Sequence, residues 1–594
     1  MHTQSAAGRL AAFSEHPGWL RGVRARHLIG ASVVLLALVV AAAGCMFGSS
    51  SQKVVFRPYS GKPHPLELTD VAQAVGLNFR QGAFRWGVSP DPSSMMGSGV
   101  CWLDYDEDGW LDLFVVNTYT ESEVSRWKGA GGLPRTALFH NAEGKFTNVS
   151  AATGAGLPVR GNGCVAADLD LDGHTDLYVT TTRESVLLWN NGDGTFTEGA
   201  RSAEVAVYGW HSGAAVGDVN GDGLPDLVVA GYTDLNAPRP EATQGFPQTF
   251  LGVRDLLFLN EGRKSGGHAR FREVGRSIGL EVANFEHGLG VLLSDFERDG
   301  DLDIYIANDT NPNRLYENVP WPGGAAADPL GLGFRFEERA GPAGVADPNA
   351  GMGIAGGDFD GDGRTDLFVT NAREQGHAVF RSKPPDENDP SYDDVRADLG
   401  VKLSGSTGWG VSWADLDLDT DLDIVEVNGD VPITDLAGDR ELVWAFGNLT
   451  AQGMTGRFED LGGQMGLDGL GPLLARGSAV ADYDNDGDPD VAISTVGGRL
   501  VLLRNDHAGG TWLEVNLAGF HPGAEVTAVL PDGRKLRREV HAGSSYLSSE
   551  DPRVHFGLGG ATKVRELVVR WPGGEVTRLT AVAANQLLEV KAPS

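Results

Sequence analysis

Three cysteines in 594 residues, Cys45, Cys101 and Cys164, are too few for a disulfide framework. Cys101 and Cys164 each sit at the end of a glycine-rich apolar stretch, and they read as small buried residues, neither ligands nor nucleophiles. Basic charge is also scarce. Lys plus Arg number 48 against 80 Asp plus Glu, a formal net charge of −32, which excludes nucleic acid and anionic membrane surfaces as partners. Disorder as the source of that acidity is excluded by 41% hydrophobic residues and 13 Trp. No convincing helical pattern is present. The longest apolar run, Leu28 to Gly44, is short for a comfortable membrane span.

That run follows Arg21, Arg24, Arg26 and His27 and ends in AAAGC, the layout of an export signal. Residues 1–45 are read as a signal peptide with a lipobox, Gly44 the last residue removed and Cys45 the lipidated one, giving a membrane attachment through the N-terminal lipid. An uncleaved anchor and a plain signal cut after Ala43 are the alternatives. Met46 follows the cysteine, where Asp in such lipoproteins often signals inner-membrane retention, so the expected location is the cell envelope, at the outer membrane, or the exterior. Residues 46–64 form a linker.

What is abundant is aspartate in a repeated setting. DYDEDGWLDL at Asp104 recurs as DLDLDGHTDL, DVNGDGLPDL, DFERDGDLDI, DFDGDGRTDL, DLDLDTDLDI and DYDNDGDPDV. Five residues before each first Asp stands a glycine: Gly99, Gly163, Gly213, Gly290, Gly353, Gly410 and Gly477. An aromatic or Leu opens a short strand upstream, as at Leu68, Phe146 and Phe271, and a run closing on Asn follows most loops, as in LFHN and LLWNN. Each unit reads as four short strands, and seven units predict an all-β fold, a seven-bladed β-propeller over 65–506. The last unit ends at Asn505 without an outer strand, and the first has a spare strand near Leu68, so pairing those two should close the ring. From 507 to 594 the acidic loops stop and short alternating strands predict a separate, small β-sandwich-like domain.

Oxygens at alternate positions of a tight loop can converge on one centre, and the position-7 carbonyl, here that of Trp110, adds another ligand. Hard oxygen donors in a flexible shell suit Ca²⁺. Two carboxylates about 4 Å apart repel by roughly 4 kcal/mol at an effective dielectric of about 20, so the clusters call for a cation. The predicted ligands at positions 1, 3, 5 and 9 are Asp104, Asp106, Asp108 and Asp112; Asp168, Asp170, Asp172 and Asp176; Asp218, Asn220, Asp222 and Asp226. The later loops offer Asp295, Glu297, Asp299 and Asp303; Asp358, Asp360, Asp362 and Asp366; Asp415, Asp417, Asp419 and Asp423; Asp482, Asp484, Asp486 and Asp490. Up to seven structural Ca²⁺ ions follow. Glu107 is read as solvated. Thr420 replaces the glycine at position 6 and should strain the sixth loop, making it the weakest site. An EF-hand is rejected because it needs Glu at position 12 and flanking helices; Glu426 alone fills that position, inside a strand-like IVEV. The loops are read as all-oxygen sites without the acid–base neighbours of a catalytic ion.

These loops resemble the FG-GAP/VCBS repeats of integrin α-chain propellers, and SYLSSEDPRVHFGLGGATKVRELVVRWPGG resembles the ASPIC/UnbV segment. Together they resemble the cartilage acidic protein family, here as a bacterial exported form, from about Leu66 to the C-terminus. The resemblance implies a secreted, Ca²⁺-binding propeller without a defined reaction. The favoured function is therefore a binding, adhesion or scaffold module for an extracellular protein or glycan. The alternative is a lyase or oxidoreductase using a funnel site, for which His211, His287, Trp409 and Arg476, just before or beside the repeat glycines, are the weak catalytic candidates. His555 and Trp571 read as structural.

Overall fold

The computed structural model describes residues 67–242, 245–264, 267–280, 286–384, 390–507 and 509–593. The export signal, Cys45 and the linker lie outside them. No helix among the described residues is long and apolar enough to cross a membrane.

Seven four-stranded antiparallel sheets arise from the seven repeats. Their inner strands, Val100–Leu103, Gly161–Ala167, His211–Gly217, Gly288–Ser294, Ile354–Gly357, Gly408–Ala414 and Ala475–Ala481, touch in that order, and the last touches the first. Sheets become blades of a β-propeller. The second strand of each blade, such as Asp112–Val115 or Asp303–Asn308, is buried along its whole length, which is why its sequence is an unbroken apolar run after the first Asp. The aromatic motifs supply the outer strands, for example Lys145–Asn148 and Phe458–Asp460.

Ring closure occurs as the spare strand predicts. Leu68–Asp70 is the outer strand of the seventh blade, antiparallel to Val501–Asn505 with Leu68 opposite Asn505. The third blade carries an added hairpin, Thr233–Pro238 with Phe250–Gly252.

Residues 512–590 form two further sheets over a core of their own that includes Leu513, Val526, Phe556, Leu567 and Trp571. One is ordered Val554–Gly557, Trp512–Leu517, Leu587–Val590, and the other Lys535–Glu539, Glu525–Val529, Lys563–Arg570, Val576–Ala583. The expected separateness of this domain does not hold. Its segment from Glu539 to Asp551 runs along the propeller axis and bonds to the inner strand of every blade. The backbone of Ser545 pairs with Ile354 in both directions (2.7 and 3.0 Å), Ser549 with Val100 and Trp102 (each 3.1 Å), and Ala542 O accepts from Val216 N–H (2.9 Å). Leu547 O accepts from Cys164 N–H and Asp551 N–H donates to Val480 O, both at 3.1 Å. Ser545 Oγ accepts from Val411 N–H (3.1 Å), and Ser294 Oγ–H donates to Glu539 (2.8 Å). At the tip, Tyr546 and Leu547 are collared by Met96, Trp210, Tyr232, Leu289, Met352 and Trp409.

The plug explains the repeated glycines. A Cβ on Gly99 would lie 1.6 Å from Leu547 O, and one on Gly353 would lie 2.0 Å from Trp409 O of the next blade. No side chain fits where seven inner strands converge on an occupied axis.

Cys101 and Cys164 are buried, as read from the sequence, but the reading missed that they form a disulfide, with Cα atoms 6.3 Å apart. Cys101 lies two residues after its repeat glycine and Cys164 one residue after, on inner strands that the ring sets side by side. Sequence spacing alone hid this, because 63 residues separate them.

Two outcomes follow. Tyr546→Ala should lower stability by about 3 to 5 kcal/mol, the range for a deleted buried aromatic, and denaturant melts followed by circular dichroism and by tryptophan fluorescence should still coincide, since propeller and C-terminal domain unfold together. Replacing both Cys101 and Cys164 by Ser should cost up to about 4 kcal/mol from restored loop entropy, read in the same melts.

Candidate metal-binding loops

Every acidic loop connects the first and second strands of its blade, and six share one hydrogen-bond scheme, from which the fifth departs in that Asp362 N–H donates to Asp360 and not to Asp358. In the first, Asp104 accepts from the N–H groups of Asp108 (3.1 Å) and Gly109 (2.9 Å), and Asp108 accepts from Trp110 N–H (2.9 Å). Asp112 accepts from Tyr105 N–H (3.0 Å) with one oxygen and from Asn141 N–H (2.7 Å) with the other. These bonds curl the loop so that the remaining lone pairs face inward.

The closing aspartates, Asp112, Asp176, Asp226, Asp303, Asp366, Asp423 and Asp490, are all at most 1% exposed. Each makes the same two bonds, the second to an N–H of the third strand: Asn190, Asn260, Asn318, Asn448 and Asn505 at 2.8 Å, and Ser382 at 2.7 Å. The Asn side chains explain the recurrent LFxN ending. Asn190 donates to Tyr105 O of the preceding blade's loop, Asn260 to Leu169 O, Asn318 to Val219 O, Asn448 to Phe359 O, Asn505 to Leu416 O, and Asn141 back to Tyr483 O, all between 2.7 and 2.8 Å. One loop is thus tied to the next blade around the ring. The exception is the fifth blade, where Ser382 replaces Asn and is too short to reach.

The donor set fits a divalent cation. Asp104, Asp106 and Asp108 present carboxylate oxygens within 4.8 Å of one another, as do Asp168, Asp170 and Asp176, and Glu297, Asp301 and Asp303. Several inward oxygens lack any hydrogen-bond partner: Asp170 Oδ1, both oxygens of Glu297, Asp358 Oδ1, Asp417 Oδ1 and Asp484 Oδ1. Without a cation, burial pushes the Asp104 carboxyl up to about 6, aided by Asp108 and Asp106. Burial also pushes Asp112 up to about 8 against its two backbone hydrogen bonds.

The loops differ in their surroundings. Those of the sixth and seventh blades are covered by the C-terminal domain. Arg553 donates to Asp482 O (2.7 Å) and Asn485 (2.8 Å), and His555 Nε2 lies 2.9 Å from Gly487 O. Thr420 does adopt a left-handed φ of 98°, and its hydroxyl accepts from Arg534 at 2.7 Å, a contact that glycine could not make. Glu107 is not merely solvated: His174 Nδ1, from the next loop, lies 2.5 Å from it. Glu426 belongs to no loop site; it is fully buried, 2.9 Å from His377 Nε2.

Three metal-loop neighbours were not anticipated. Asp301, at position 7, offers a side-chain oxygen where only a carbonyl was expected. His140 Nδ1 stands 3.3 Å from both Asp106 and Asp112, and His268 Nδ1 stands 2.7 Å from Asp170. His140 directly precedes the recurrent Asn, a register shared by every blade, so its position was readable. His268 reaches across from the third blade's outer hairpin and was not.

The four weak catalytic candidates are all buried, at 2% exposure or less. Arg476 stacks on Trp409, 3.9 Å from its ring centroid, and donates to the carbonyls of Met95, Gly429 and Ala475. Trp409 in turn meets Tyr546 of the plug, with centroids 4.8 Å apart. His287 Nδ1 lies 3.1 Å from both Tyr232 O and Thr233 Oγ1. Burial lowers His211 and His287 to about 4. The cavity at the junction with the C-terminal domain, about 140 Å³, is lined by Asp358, Asp415, Asp482, Arg538, His541 and Glu550 among others, and by none of these four.

Known proteins share this plan. Residues 104–179, 168–229 and 295–369 match the FG-GAP-like repeat, and 516–594 match the ASPIC and UnbV family. Cartilage acidic protein 1 of Homo sapiens is 24% identical over 84% of this chain and 73% of its own length. That of Xenopus tropicalis is 27% identical over 84% and 74%. Among solved structures, an Agrocybe aegerita lectin specific for non-reducing terminal N-acetylglucosamine aligns over 61% of this chain and 82% of its own, at 17% identity and a TM-score of 0.34, a match too loose to bear on this chain. Acidic-loop repeats that build the propeller and a C-terminal ASPIC and UnbV segment are joined in one chain, and that pairing, with the similarity to cartilage acidic protein 1 over most of the chain, supports the cartilage acidic protein family.

Proposed function

We propose that this protein is a Ca²⁺-stabilised propeller scaffold that presents one face to an extracellular protein or glycan. The observation that carries the reading is the filled axis. Tyr546 and Leu547 occupy the place where a propeller funnel would admit a substrate, and both are buried. The acidic-loop face is partly taken by the chain's own C-terminal domain. The opposite face, built from the connections between second and third strands and between blades, carries exposed apolar side chains: Tyr208 at 76%, Leu251 at 47% and Trp86 at 40% exposure. Exposed aromatics of this kind serve protein and sugar recognition.

Calcium is the cation this reading puts in the loops, because oxygens dominate the donor sets and the curled loops leave flexible, open shells. At free Ca²⁺ ten times the dissociation constant each site would stabilise the fold by about 1.4 kcal/mol, and seven would contribute on the order of 10 kcal/mol, comparable to a whole domain. An exterior location agrees with the Cys101–Cys164 disulfide, a bond of oxidising compartments.

Adding a chelator should therefore lower the melting temperature by well over ten degrees and restoring Ca²⁺ should recover it; an unchanged melting curve would refute the calcium claim. Binding to arrayed extracellular proteins and glycans should fall at least tenfold when Trp86 and Tyr208 are both changed to Ala, with the Ca²⁺-dependent melt intact. Equal binding by that variant would refute the choice of face.

A further inference from the structure

The seven loops do not present the same donor atoms, and one source of the difference is a register position on the third strand. That position is the residue before the recurrent Asn, or before Ser382 in the fifth blade, on the third strand. It is Trp189, Leu259, Glu317 and Gly447 in four blades, and Arg381 and Arg504 in the fifth and seventh. There burial raises the carboxyls of Asp360 and Asp484, and the guanidinium, a cation beside the site, offsets part of that rise. In the first blade the same position holds His140.

His140 Nδ1 is a buried atom with no hydrogen-bond partner. It lies 3.3 Å from Asp106 Oδ2 and 3.3 Å from Asp112 Oδ1. A tetrahedron with bonds of about 2.0 Å, the length of Zn–N and Zn–O contacts, has edges of about 3.3 Å. Two edges of one face of such a polyhedron are therefore already at length, and Asp106 and Asp112 present carboxylate oxygens within 4.8 Å of each other to close the third. In the second blade Trp189 takes the register position, and His268 lies flat on it, ring centroids 4.7 Å apart and planes 6° from parallel. That stack aims Nδ1 at Asp170 Oδ2, and Asp170, Asp172 and His268 form one cluster. Asp170 is 4% exposed and its Oδ1 has no hydrogen-bond partner. Arg263 stands 3.7 Å from it on a side chain 45% exposed, free to swing to solvent when a cation enters.

We propose that the first and second loops are mixed nitrogen–oxygen sites selective for a borderline divalent transition metal such as Zn²⁺, while the other loops, with oxygen donors alone, keep Ca²⁺. Imidazole nitrogen favours Zn²⁺ and its neighbours in the first transition row, whereas Ca²⁺ takes oxygen. The proposal rests on the reading that these loops hold divalent cations. His140 and His268 are positioning and ligating groups for structural ions; no reaction is assigned to them.

The test is a metal count on the untagged, purified chain. Protein is incubated with Zn²⁺ in the presence of excess Ca²⁺, passed through gel filtration in the Ca²⁺ buffer, and analysed for bound zinc. Two equivalents are expected for the wild type, one for His140→Ala, one for His268→Ala and none for the double variant. His140→Gln, which keeps the size and offers an amide oxygen, should also lose one equivalent. Retention of no zinc by the wild type, or counts that these substitutions leave unchanged, would overturn the proposal. The rise in melting temperature with Ca²⁺ is measured on the same samples. It should persist in the double variant, which shows that the variant folds. Its absence from the wild type would refute the calcium reading and leave the zinc count to be judged by itself.

Discussion

One buried carboxylate per repeat, the aspartate that closes each acidic loop, determines how the rest of the molecule is held. Asp176 is typical: one oxygen accepts from Leu169 N–H inside the loop and the other from Asn190 N–H on the third strand. Hydrogen bonds to a charged acceptor contribute about 1.5 to 3 kcal/mol each, yet burial opposes the charge that makes them strong, and pushes this carboxyl well above its usual range. A cation in the loop would resolve that conflict: it would keep the carboxylate ionised, the ionised carboxylate would fix the third strand, and the Asn on that strand, where present, bonds to the preceding loop. Local electrostatics and the geometry of the whole ring are thereby one problem.

Charge is distributed to suit this arrangement. Residues 507–594 carry ten Lys plus Arg and nine Asp plus Glu, so the negative excess lies entirely ahead of them. Arg553, only 6% exposed, faces Asp551, Glu514 and the Asp482 carbonyl. Arg537 bonds Glu525 and Thr365. The C-terminal domain thus places arginines against the acidic-loop face it covers.

The ring was legible in the sequence because the blades repeat the same solution: glycine, acidic loop, apolar strand and, in six of the seven, Asn. Even its closure through Leu68 could be read from a strand missing at one end and spare at the other. The plug was not legible. Nothing in SSYLSS has a repeat partner or a strong periodicity, and its role depends on seven strands that meet it only once the ring exists. The disulfide and the His268 contact failed for the same reason, since each joins neighbouring blades across many residues. His140 differs. Its register was fixed by the repeat, and attention to the residue before Asn would have placed it beside Asp106.

The strand Leu68–Asp70 carries a temporal consequence. It leaves the ribosome before any blade, but its partner Val501–Asn505 comes more than 430 residues later in the chain, and the plug later still. Until then the growing propeller is an open arc with two bare edges and an empty axis. The stretch that turns an arc into a sealed ring is therefore made after every blade, so a chain truncated ahead of Val501 loses the keystone of the propeller and not a peripheral ornament.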